Sequence, residues 1–262
     1  GVDAFETLRI DSASGAAAAG GSAGVGASAN IALLGSKVAA TVSGSNLRSS
    51  GQLAVHAAAE REISLATVTA GIGGSIGIGG AAGVLLSGQG DLGDVLGEVG
   101  GTQASMDELA SGNKLDAAIT GDALLADKLG ADDLAALNQA SSRSLLALGG
   151  KQDQVLAGIS GGSVVAGSVD VDAASRLSTH NLAGSVAAGA LGAGGAVAYT
   201  GLNGQTSAAI EQGNIQAGSV RVQAHSGDLG AQQPVSRVDA IAGAAGLVGL
   251  GAIGLRFARM AD

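Results

Sequence analysis

Residues 168–175 read SVDVDAAS and residues 219–226 read SVRVQAHS: one phrase written twice, 51 residues apart, with only the third, fifth and seventh letters changed. Two further segments, TLRIDSAS at 7–14 and QLAVHAAA at 52–59, follow the same pattern. The second and fourth letters are aliphatic in all four: Leu8/Ile10, Leu53/Val55, Val169/Val171 and Val220/Val222. The letters between them vary freely. Alternation of this kind predicts a short strand with one buried face, because successive side chains on a strand point to opposite sides. Repetition of the phrase predicts stacked units that bury this face against their neighbours.

Each phrase leads into a run poor in charge and rich in Gly and Ala, at Ser12–Ser36, Ile63–Gly90, Leu177–Ile210 and Ala240–Leu255. Alternating closers follow at 37–51, 153–167 and 205–218, so a repeat spans some 45–50 residues of strand, Gly/Ala strand and strand again. The expected fold is all-β, a parallel β-helix with roughly two coils per repeat. At the usual inter-strand spacing, about eight rungs would make a rod of roughly 40 Å. With 47 glycines, one proline and 1% aromatic residues, the core must come from small side chains and close backbone approach. Inside the first run, Val25, Ala27, Ala29, Ile31 and Leu33 fall on one side and Gly24, Gly26, Ser28 and Asn30 on the other. A rival reading makes the runs membrane-spanning helices, since they are long enough to cross a bilayer and carry small-residue spacing.

Residues 88–152 interrupt the repeat and divide the chain into a first solenoid part, 1–87, and a second, 153–262. This insertion carries ten acidic and four basic residues, net −6 of the chain's −9. Leu115, Ile119, Leu125, Leu129, Leu134, Leu137, Leu145 and Leu148 recur at three- to six-residue steps, which predicts an acidic helical hairpin or small bundle. Asp132 would cap a helix that begins near Asp133. Insertions in repeat proteins fall in loops, often on a binding face. Asp107, Glu108, Asp116, Asp122, Asp127, Asp132 and Asp133 are the candidate partner-binding residues; the other readings of the insertion are a tolerated excrescence that covers an apolar patch of the coil, which is the simpler one, and a packing or capping device. Removing 88–152 and joining Ser87 to Asp153 is expected to leave the β-structure intact.

Signals of catalysis are weak. His56, His180 and His225 fall at different phases of the phrase, so no convergent metal site is predicted. Asp170 and Asp172 lie two apart on one strand face, a spacing that paired carboxylates in a carbohydrate-active β-helix enzyme could use. No lysine or arginine cluster or aromatic subsite accompanies them, and a solvated polar face is the simpler reading. GIGGSIGIGG at 71–80 lacks the Gly-Lys-Ser/Thr ending of a phosphate loop. No cofactor is predicted. The acidic balance argues against nucleic acid as a partner. The opening GVDAFETLRI shows no signal peptide and reads as the interior of something longer.

The phrases and closers together resemble the repeats of large secreted bacterial exoproteins. These are the filamentous-haemagglutinin-type and leukotoxin-type proteins exported by two-partner secretion. The likeness lies in Ser168–Ser175, Gly192–Thr200, Thr206–Ser226 and Ala23–Ile31. It implies a right-handed parallel β-helix, a place on the bacterial cell surface or in the medium, and passage through an outer-membrane transporter. It also implies a part in adhesion, biofilm or virulence through a host-cell or bacterial surface receptor or glycan. The competing functional readings are a membrane-active toxin segment that uses the Gly/Ala runs, and a carbohydrate-active enzyme.

Overall fold

The computed structural model describes residues 1–88, 141–227, 236–246 and 248–261. Every described element is a strand: β1 (Val2–Gly20), β2 (Ala23–Ser43), β3 (Asn46–Arg48), β4 (Gln52–Gly73), β5 (Ile76–Ser87), β6 (Ser141–Ser160), β7 (Ser163–Ala188), β8 (Leu191–Glu211), β9 (Asn214–Ser226), β10 (Ser236–Ala245) and β11 (Val248–Ala261). All pairings are parallel and form two sheets. Sheet A runs β1-β4-β7-β10, with β3 and β9 also paired to β7; sheet B runs β11-β8-β5-β2-β6. The chain alternates between the sheets, so each circuit of the two makes one coil and the coils stack in register, an arrangement compatible with a β-helix-like solenoid.

One repeat makes one coil, not two. Val2 pairs with Val55, 53 residues on, and Ser168 with Ser219, 51 residues on. The described residues therefore stack four levels along the axis, about 20 Å at the usual strand spacing, rather than eight. The closing strands complete the long second side of the same coil. Leu53, Val169 and Val220 form one column, and Val55, Val171 and Val222 the next, as the phrase alignment predicts. The first phrase is displaced: Leu8 pairs with Arg61 and Ile10 with Ile63, while Val2 takes the place beside Val55. Val220 and Val222 stay 51% and 42% exposed, because among the described residues no strand of sheet B faces their end of the last coil.

Cross-sections taper. At the thick end the first halves of β4 and β7 face β2 and β6 around Val55, Val169, Val171, Val155 and Ile159, closed at the side by Leu47 and Val164. At the thin end a methyl group added at Gly71 would lie 1.8 Å from the Ile78 carbonyl oxygen, one at Gly24 2.0 Å from that of Ile72, and one at Gly77 2.1 Å from that of Ala188. Side chains cannot fit there, so the two backbones touch. This is why each strand phrase is followed by Gly and Ala. Gly24, Gly26, Ser28 and Asn30 face inward, and the Val25–Leu33 side of the same run faces away from sheet A. There Ile31 and Leu33 pack with Val84, Leu86 and Tyr199 in a separate apolar cluster. Between thick and thin ends the interior is bridged by buried amides. Asn181 Nδ2 donates to the Tyr199 carbonyl at 2.7 Å and to that of Gly83 at 3.1 Å, and Asn30 Nδ2 to that of Ser12 at 3.1 Å.

The Gly/Ala runs, where described, are strands of this sandwich, which overturns the membrane-helix reading for them. Among the described residues no helix is long and apolar enough to cross a membrane, which leaves strand-built crossings unaddressed. The helical expectation for the insertion fails over its last part. Ser141–Gly149, with Leu145 and Leu148, forms the first half of β6 and pairs in parallel with Ala27–Gly35. Its spacing satisfies either period over so short a run, and pairing to an open strand edge decides the outcome. The remainder of the expected helical insertion lies outside the described residues.

Candidate binding surface

On the outer face of sheet A, register turns strand alternation into columns that run along the coil axis. Asp3, His56, Asp172 and Gln223 form one; Phe5, Ala58, Ala174 and His225 the next; Thr7, Glu60 and Arg176 a third. Ala58 and Ala174 are too short to fill the middle column. A shallow cleft of about 300 Å³ results, with Phe5 at its first-coil end and Glu60 and Arg176 on its rim. Phe5, on β1, is 72% exposed, an aromatic ring held in water. The Arg176 Nη1–Glu60 Oε1 contact of 3.1 Å joins two coils across the rim. Further along, Arg9 meets Glu62 at 3.5 Å and Asp11 at 3.0 Å. Beyond these the outer face turns apolar, with Val68, Ile72, Val186 and Ile241 all more than half exposed.

The three histidines occupy separate columns, and each lies beside a carboxylate of an adjacent coil. His56 sits 3.5 Å from Asp3 and 3.8 Å from Asp170, His225 3.5 Å from Asp172, and His180 3.8 Å from Asp239. Asp170 and Asp172 are thus shared out among neighbours, with Gln52 also donating to Asp170 at 3.4 Å. Neither is directed with the other into the cleft. Among the described residues no group of three His or acidic side chains is placed to hold a metal ion. Asp107, Glu108, Asp116, Asp122, Asp127, Asp132 and Asp133 lie outside the described residues.

A buried ionic cluster was not foreseen. Arg61 in β4 is 4% exposed and Asp153 in β6 7%. The Arg61 guanidinium binds the Asp153 carboxylate through Nη1 and that of Glu6 through Nε at 2.6 Å. Ser87 Oγ donates to Asp153 at 2.8 Å, and Ser36 Oγ to Glu6. Burial alone would raise the Glu6 carboxyl. The Ser36 hydroxyl and the hydrogen bond and charge of Arg61 outweigh it and hold the group below the ordinary glutamate value. Among the described residues Arg61 Nη2 has no hydrogen-bond partner. A signal existed in the sequence: Arg61 shares phase with Ala59 and Ile63, and Asp153 with Val155, Ala157 and Ile159, so both are charges written on the inward face.

Comparison with known proteins finds no matching family model, no similar curated protein and no similar solved structure.

Proposed function

We propose that this chain is a structural and adhesive segment of a large secreted bacterial surface exoprotein of the filamentous-haemagglutinin type. In this reading it is a right-handed parallel β-helix shaft that presents its outer sheet A face to a receptor or glycan on a host or bacterial cell. One observation carries the proposal: strands β1, β4, β7 and β10 pair in register, so the outward letters of the repeated phrase become straight columns on a stiff surface. Aliphatic inward letters fix the fold, and the outward ones change without disturbing it. The cleft beside Phe5 is where that face offers both an aromatic surface and polar groups. Engagement of Asp170 and Asp172 with histidines of neighbouring coils favours binding over hydrolysis. Export would pass through an outer-membrane transporter, and nucleic acid is not a partner.

The test is binding of the purified chain to intact bacterial and host cells and to immobilised glycans. A triple variant, Phe5→Ser, Glu60→Ala and Arg176→Ala, serves as the comparison, because all three side chains are solvent-facing. Saturable binding that falls at least tenfold in the variant, with circular dichroism unchanged, is the expected result. Equal binding by both proteins would remove the cleft from the proposal, and no binding to any surface would remove adhesion.

A further inference from the structure

Past the cleft and its charged rim, the outer face of sheet A carries only Gly, Ala, Val, Leu and Ile for four columns, save Asp239, which Arg237 holds at 2.5 Å. The bulky side chains there are Leu182, Val68, Val186, Ile72 and Ile241, and no two of them are neighbours along a strand or along a column. They stand out from a floor of Gly and Ala like the dark squares of a checkerboard. Val68, Ile72 and Val186 are all more than half exposed. They lie on β4 and β7, and each is paired on both sides, so their exposure belongs to the flank of the coils. A contiguous apolar patch of this kind marks a contact surface.

The pattern is complementary to itself. A two-fold axis parallel to the strands, midway between β4 and β7, keeps every column over its own column and reverses the order of the coils. β4 of one copy then faces β7 of the other, and β1 faces β10. Every bulky residue meets a small one: Val68 meets Gly184, Val186 meets Ala70, Ile72 meets Ala188, Leu182 meets Ala66 and Ile241 meets Gly15. An axis along the coils would also alternate large with small, and the rim decides between the two. Only the axis along the strands sets Asp11, in the next column, against Arg237, and both are exposed. At the usual strand dimensions the block measures about 27 Å by 19 Å, or about 500 Å² per copy. Two copies would bury about 1,000 Å² in all, the lower bound for a specific interface. We propose that this apolar half of the outer face pairs with a second copy of the chain, laid side by side with its coils running the opposite way. The contact uses the flanks of the coils, so it holds whatever precedes or follows them, and it does not depend on adhesion at the Phe5 cleft.

Sedimentation velocity of the full chain over about a hundredfold range of concentration is expected to show monomer passing to dimer. Gly184→Val is the discriminating variant. A methyl group at Gly184 comes no closer than 3.9 Å to any neighbour, so the free chain accommodates it. It adds apolar surface yet fills the hollow that Val68 enters, and dimerisation should weaken roughly tenfold where mere stickiness would strengthen. Asp11→Arg should weaken it roughly threefold, and adding Arg237→Asp should restore it. The chain has no cysteine, and Gly15 and Ile241 lie three strands apart within one copy, about 14 Å, too far for an internal disulfide. Gly15→Cys with Ile241→Cys should therefore yield a covalent dimer on oxidation, and Ala19→Cys with Ile241→Cys should not. If Gly184→Val fails to fold, this cysteine comparison decides. A chain that stays monomeric throughout, a dimer indifferent to Gly184→Val, or equal cross-linking by the two cysteine pairs would overturn the proposal. Monomers that float with phosphatidylcholine vesicles would overturn it too, and give the face to a membrane.

Discussion

Gly88 and Asp153, with 64 residues between them in the chain, occupy consecutive positions of one strand ladder. The Gly88 N–H donates to the Leu34 carbonyl at 2.9 Å, and Asp153 lies opposite Ser36. Gly88 turns the chain outward at φ 67°, and a methyl group there would lie 1.6 Å from the Asn203 carbonyl oxygen. β5 and the second half of β6 are therefore one strand, opened between two adjacent residues.

The position of this seam makes a sharp prediction. Joining Gly88 to Asp153 keeps inward Ser87, outward Gly88 and inward Asp153 in phase. Joining Ser87 to Asp153 removes one ladder position and turns Val155, Ala157 and Ile159 toward solvent. The first splice is expected to retain strand-type circular dichroism and a cooperative melt. The second, the one suggested by the repeat boundaries in the sequence, is expected to lose the melt. Equal behaviour of the two would mean that the ladder does not run through the seam.

Close approach at the thin end separates two glycines of the same strand. Gly77→Ala places a methyl group 2.1 Å from the Ala188 carbonyl oxygen, whereas nothing lies within 4 Å of one at Gly80. Gly77→Ala should cost about 1–3 kcal/mol or more. Gly80→Ala should be neutral or stabilise by roughly 0.5–1 kcal/mol, since glycine is the poorer strand residue. Urea unfolding of both variants measures the difference.

Breaking the buried ionic cluster from one side leaves a charge unpaired. Arg61→Met is expected to destabilise by about 3–5 kcal/mol, because Asp153 remains buried without its cation. Adding Asp153→Asn to that variant should recover part of the loss. A double-mutant cycle showing no coupling between the two positions would dissolve the cluster as an energetic unit.

Glu6 gives the pH dependence. Its folded value is lowered, so its contribution is fully present above the ordinary glutamate pKa of about 4.3 and is lost as pH falls through the lower folded value. The Tm of the parent should therefore fall more steeply than that of Glu6→Gln as the solution is acidified below about pH 4. Parallel curves for the two proteins would count against the Ser36 and Arg61 contacts. Glu6 is partly open to water, so the difference is modest.

A column of turns offers the last test. Gly44, Gly161 and Gln212 follow the paired positions Ser43, Ser160 and Glu211, and all three adopt positive φ, of 60°, 66° and 53°. Only the third coil places a side chain there, at a cost of about 1–2 kcal/mol for a left-handed conformation. Gln212→Gly should stabilise the chain by roughly 0.5–1 kcal/mol once the extra freedom of glycine in the unfolded chain is counted. A fall in Tm would show that the glutamine side chain earns its place by another contact.

Parts of the surface were legible in the sequence and parts were not. The separate columns of His56 and His225 follow directly from the aligned phrases, because outward letters keep their phase once two coils are matched. The cleft does not: it needs Phe5 brought beside Ala58 and Ala174, and the first phrase as aligned on TLRIDSAS puts Phe5 outside the repeat. That alignment is eight residues out. Eight is an even number, so every side chain stays on its proper face and alternation cannot reveal the error. Arg61 and Asp153 were legible only as anomalies, charges in the inward phase with no visible partner.

Alternation by itself determined which face of each strand is buried, and the Gly/Ala runs determined that two backbones must meet, because both follow from the size and spacing of side chains along one strand. Only the tertiary structure decided how many residues close a coil, where the insertion leaves and returns, and that its last nine residues before Gly150 become a strand on the edge of β2. Those outcomes depend on hydrogen-bonded pairing between segments 51 to 117 residues apart, where the choice of register is a competition among neighbours rather than a property of any one stretch.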